Sequence, residues 1–84
     1  LVITGEGYLD EQSFEGKVVG GVAGQCRLAR RELRIIVGDG VDEVATRTNA
    51  IRLVERYGRE ASMQRTTWCI EQATRDLLAS ISSR

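Results

Sequence analysis

The chain has 84 residues, enough for one small domain with a thin core. Lys plus Arg equals Asp plus Glu at twelve each, so the net charge is zero, and the basic excess that marks binding to nucleic acid or to an anionic membrane is absent. A hydrophobic fraction of 42% argues for a folded chain. The lack of histidine, with two cysteines far apart, excludes a zinc site built from thiolates and imidazoles.

Leu1-Val2-Ile3 is short, apolar and β-branched, and it predicts a buried strand of a parallel sheet. From Thr4 to Lys17 the chain reads as a glycine-punctuated turn carrying Glu6, Asp10, Glu11, Gln12, Glu15 and Lys17. Gly5 and Gly7 flank Glu6, which suits either an ordinary tight turn or a backbone that approaches a ligand closely. A turn or short helical piece is expected over 10–14.

Val18, Val22, Cys26 and Ala29 recur at helical spacing over a segment from about Lys17 to Arg31. Arg27, Arg30 and Arg31 at its end suit the helix dipole and read as a solvated helix terminus, since no aromatic residues interleave with them. Gly20, Gly21 and Gly24 each weaken a helix by about 1 kcal/mol relative to alanine, so close packing against a sheet or a phosphate is expected there. Leu33–Val37 predicts a second strand ended by Gly38-Asp39-Gly40. Strand, helix and strand form a βαβ unit, which brings the opening turn to the carboxyl edge of the sheet, where ligands bind in open α/β folds. Asp39 leaves the same edge, either as part of a site or as an ordinary turn residue.

The segment 41–49 predicts a loop or one or two helical turns, and 50–54 a third strand closed by Gly58. From about Glu60 to Ser80 the spacing of Thr67, Ile70, Ala73, Leu77 and Ile81 predicts a covering helix, with Trp68, Cys69 and Leu78 widening its apolar stripe. On that stripe Trp68 reads as core, with a ligand platform as the other role open to it. Cys26 and Cys69 read as buried apolar residues. No apolar run approaches the length of a membrane span, and nothing at the start reads as a secretory signal, so a cytoplasmic location is expected. The first residue falls in mid-strand and Met63 is the only methionine, which together predict a fragment of a longer protein.

At the opening turn the residues L-V-I-T-G-E-G-Y-L-D-E-Q-S-F-E-G-K resemble the signature of the type 1 glycerate kinase family, approximately T-G-E-G-R-[hydrophobic]-D-x-Q-[ST]-x-x-G-K. Gly5, Glu6, Gly7, Asp10, Gln12, Ser13, Gly16 and Lys17 fall on pattern positions. K-V-V-G-G-V-A, R-I-I-V-G-D, R-L-V-E-R-Y-G and C-I-E-Q-A-T-R-D-L-L are similar to later parts of the family, so the resemblance covers nearly the whole chain. It implies a βαβ portion of a parallel or mixed sheet with covering helices, at the carboxyl end of a larger two-domain α/β kinase whose active site lies between the domains.

The implied activity is phosphoryl transfer from ATP, with Mg, to a hydroxyl of D-glycerate or a related hydroxy acid. By the same resemblance Lys17 holds phosphate or the substrate carboxylate, and Glu6 and Asp10 bind metal or act as general base. Gln12 and Ser13 orient substrate, and Gly5, Gly7 and Gly16 allow close backbone approach. The 84 residues would supply part of the site, completed by the missing N-terminal part of the enzyme. The competing expectation is a non-catalytic binding or assembly module, self-associated to cover its sheet edges. A Rossmann piece for a redox cofactor fits less well, because no helix opens at the second glycine. One departure from the family pattern stands inside the signature: Tyr8 replaces arginine and removes a permanent cation. The segment 39–49 also matches the family poorly.

Overall fold

The computed structural model describes residues 1–15 and 18–83. Three strands form one parallel sheet in the order β1 (Val2–Leu9), β2 (Leu33–Gly40) and β3 (Ile51–Arg52). A 3₁₀ turn over Glu11–Phe14 and helix α1 (Val19–Ala29) join β1 to β2, and α2 (Asp42–Thr48) joins β2 to β3. After β3 come α3 (Leu53–Tyr57), α4 (Arg59–Gln64) and α5 (Thr66–Ser82). The expected βαβ unit is present, with helices on both faces of the sheet.

Successive residues of β2 point to opposite faces, and this alternation creates two cores. Ile35 and Val37 pack with Leu9, Val19, Val44 and Ala45 beneath α1 and α2. Ile36 packs with Ile51, Leu53, Cys69, Ala73 and Leu77 beneath α3 and α5. A central strand apolar on both faces is what a doubly covered parallel sheet requires. Both cysteines are buried, as expected.

The strands run through the glycines that the sequence reading takes as stops. β1 continues past Thr4-Gly5 to Leu9, and β2 includes Gly38-Asp39-Gly40. Gly5 is the register partner of Ile36, and a Cβ at Gly5 would collide with the Ile36 carbonyl oxygen. Its lack of a side chain therefore serves the contact between the strands, not a turn. A Cβ at Gly7 would meet nothing within 4 Å. Gly20 has a comparable task in α1: a Cβ there would strike the backbone of Phe14, so at this position the helix lies directly against the 3₁₀ turn.

Further along, the expected third strand shortens to Ile51–Arg52, and Leu53–Tyr57 is helical. The expected covering helix is divided at Arg65 (φ −126, ψ 46). There the Thr66 hydroxyl donates to the Ser62 carbonyl at 2.6 Å, a local side-chain bond that competes with the helix ladder. The division shifts the buried stripe of α5 to Cys69, Ala73 and Leu77, a strict four-residue spacing, and leaves Ile70 44% exposed. Trp68 is likewise 40% exposed, outside the core. In α1 the buried residues are Val19 and Cys26, whereas Val18 is 59% exposed. No helix among the described residues is long and apolar enough to cross a membrane.

Candidate functional site

The site lies where β1 ends and the 3₁₀ turn begins. Asp10 stands at the N-cap in extended conformation, and its Oδ1 accepts from the Ser13 backbone N–H at 3.1 Å. The Asp10 backbone N–H in turn donates to Ser13 Oγ at 3.0 Å. This reciprocal capping box satisfies two donors that the first turn of a helix otherwise leaves unpaired. With its oxygen already accepting, the Ser13 hydroxyl donates to Glu6 Oε2 at 2.6 Å. One buried serine thereby links a carboxylate on the strand to a carboxylate on the turn.

These residues line a groove of about 370 Å³ together with Gly5, Tyr8, Gln12 and Val18. The structure thus brings together Gly5, Glu6, Asp10, Gln12 and Ser13 of the residues expected at the site. Gly7 lines a different groove on the α5 side, with Ile36, Leu53 and Ile70. Gly16 and Lys17 lie outside the described residues. Tyr8 is 54% exposed and lines the groove.

Among the described residues, Asp10 caps through Oδ1 and Glu6 accepts through Oε2, so each carboxylate keeps its second oxygen for a ligand. Among the same residues, no three acidic, cysteine or histidine side chains converge on one point. Two hard oxygen donors suit Mg, which is commonly held by one or two carboxylates together with water and substrate phosphate.

Charged residues to which the signature gives no role brace it. Arg47 of α2 donates from Nη1 and Nη2 to the two carboxylate oxygens of Glu11, each at 3.0 Å, and so ties the 3₁₀ turn to a helix beyond β2. Those hydrogen bonds hold the Glu11 carboxyl below its ordinary range and raise Arg47. At the neighbouring strand end, Asp39 is the register partner of Tyr8, and its Oδ1 accepts from the Gly40 N–H at 2.8 Å. Arg52 lies 3.9 Å from Asp39, donates to the Gly40 carbonyl at 3.2 Å and pairs with Asp42 and Glu55. The hydrogen bond to Asp42 is the main reason its guanidinium holds its proton more tightly than usual. The only local signal for these partners is the i,i+3 spacing of Arg52 and Glu55; Glu11 and Arg47 are far apart in sequence and meet through the fold.

No curated protein and no solved structure matches the chain. The family model described as the glycerate kinase family matches residues 1–83. That match takes in the strand that carries the groove, the turn between Asp10 and Ser13 and every helix among the described residues. The chain belongs to the glycerate kinase family.

Proposed function

We propose that the groove at the end of β1 is one side of the active site of a kinase that transfers the γ-phosphoryl group of ATP to a hydroxyl of D-glycerate. Family membership supports the reaction class, and one observation carries the site: Ser13 joins Glu6 and Asp10 on a single groove at the carboxyl edge of a parallel sheet. Phosphoryl transfer depends on positioning and charge stabilisation, so a pair of carboxylates held by a buried hydroxyl suits it.

Glu6 and Asp10 would hold Mg through their uncommitted oxygens, and the ion would neutralise charge on the phosphates. If one of the two carboxylates holds the ion alone, the other would accept the proton of the acceptor hydroxyl. Gln12, exposed on the groove, would orient the acceptor. Lys17 would complete the site as its cation, and Tyr8 would offer a phenol where the family signature has a guanidinium. The opposite side of the cleft would come from a second α/β domain of a longer protein.

The test is ATP-dependent phosphorylation of D-glycerate by the protein that carries this chain. Glu6→Gln keeps an acceptor for Ser13, and Asp10→Asn keeps capping ability, so both separate chemistry from folding. Each is expected to lower kcat/KM by about 10²-fold or more. Unchanged turnover in both variants would remove the assignment.

A second reading, a non-catalytic assembly module, is favoured by the edge of β1. Among the described residues that strand pairs with β2 alone, and Ile3 on it and Leu1 just before it are exposed. Sizing of the 84-residue chain would show a dimer under this reading and a monomer under the first.

A further inference from the structure

Four arginines on the β2–β3 side of the fold divide into two groups. Arg47 and Arg52 are saturated by carboxylates, Arg47 by Glu11 and Arg52 by Asp42 and Glu55. Among the described residues, Arg59 and Arg65 have no carboxylate oxygen within hydrogen-bond length. Arg59 Nη2 lies 4.0 Å from Asp39 Oδ2, beyond hydrogen-bond length, and its side chain is 73% exposed. Arg65 has its Cζ 4.6 Å from the centroid of the Trp68 ring, and Trp68 meets Tyr57 edge-on with centroids 5.7 Å apart.

Both arginines line a groove of about 410 Å³ with Tyr57, Gly58, Glu60 and Gln64. Two cations and one carboxylate make its wall net positive. A guanidinium held over an indole face by cation–π attraction keeps N–H donors that can meet phosphate oxygens. The contact also orders the Arg65 side chain before any ligand arrives, which lowers the entropic cost of binding.

Arg59 approaches Asp39, the register partner of Tyr8, and Tyr8 lines the groove of Glu6 and Asp10. The positive groove therefore adjoins the acidic one at the same end of the sheet. We propose that the groove between Arg59 and Arg65 binds the phosphate chain of a polyphosphate such as a nucleoside triphosphate. The choice of a polyphosphate over other anions rests on the kinase reading; the binding of an anion does not.

Trp68 is the only tryptophan, so its fluorescence reports on this groove directly. Titration of the full 84-residue chain with inorganic triphosphate, at constant ionic strength, is expected to give a saturable change. Calorimetry, which does not depend on the indole, should show affinity reduced about tenfold or more by Arg59→Gln and by Arg65→Gln, the worth of one charge-assisted hydrogen bond. Arg27→Gln on α1 should leave it unchanged. Absence of saturable binding, or equal weakening by Arg27→Gln, would overturn the site. Equally tight binding of glycerol phosphate would overturn the polyphosphate assignment. Glycerate kinase activity that persists in both arginine variants with its KM for ATP unaltered would remove this groove while leaving the reading of Glu6 and Asp10 intact.

Discussion

Ser13 Oγ lies 2.6 Å from Glu6 Oε2 and also accepts the Asp10 N–H at 3.0 Å, so one hydroxyl both closes a capping box and orients a strand carboxylate. Ser13→Ala removes both bonds. A loss of about 1–3 kcal/mol is expected by chemical denaturation, and Ser13→Thr should restore part of it. A Ser13→Ala variant as stable as the parent would mean that the hydroxyl contributes nothing to this turn.

Gly5 and Gly7 stand two residues apart on β1 and should respond oppositely to a methyl group. Gly5→Ala drives a Cβ into the Ile36 carbonyl and is expected to cost about 1–3 kcal/mol or more, the range for overpacking. Gly7→Ala enters open space and should change stability by less than about 1 kcal/mol. Thermal melts of the two variants side by side make the comparison. Equal effects would contradict the strand spacing described above.

The ion pair of Glu11 with Arg47 predicts a pH dependence of definite sign. Arg47 lowers the folded-state value of Glu11 below the ordinary 4.5, so the unfolded chain takes up a proton first as pH falls. The pair's contribution is therefore complete above the unfolded value and is lost as pH drops through the lowered folded one. In Arg47→Gln the acid limb of the stability profile should be shallower. Because both groups are solvent-exposed, added salt should reduce the difference. Parallel acid limbs for parent and variant would exclude the effect.

The corrected stripe of α5 separates two leucine-sized residues. Leu77 is 3% exposed in the core with Ile36 and Cys69, and Leu77→Ala is expected to cost about 2–5 kcal/mol. Ile70, on the stripe read from sequence but exposed in the fold, should lose less than about 1.5 kcal/mol on substitution by alanine. Denaturant midpoints of the two variants decide between the two stripes.

What could be read from the sequence follows the range of the interactions concerned. The apolar run around Ile35 and Ile36, the βαβ order and the convergence of Glu6, Asp10, Gln12 and Ser13 depend on local pattern, and the structure contains each of them. Gly5 misleads because glycine usually signals a turn, whereas here it answers to a carbonyl on another strand. Gly20 likewise answers to Phe14. Ile70 and Trp68 were displaced from the core by the change of phase at Arg65, where a threonine hydroxyl bonds to the preceding turn. Arg47, Arg52 and Arg59 find most of their partners across the fold, and composition carries no trace of that geometry.

The parallel pairing of β1 with β2 also bears on the order of folding. Gly5 meets Ile36 only after the intervening chain has formed its helix and returned, a closure that pays its entropy before any ladder bond is gained. The link from Glu6 through Ser13 to Asp10 spans a few residues and can form early, whereas Arg47 reaches Glu11 only after β2 is in place. By contact order, assembly of the groove is expected in two stages, its carboxylates gathering locally before the long-range docking of the sheet fixes them in their final setting.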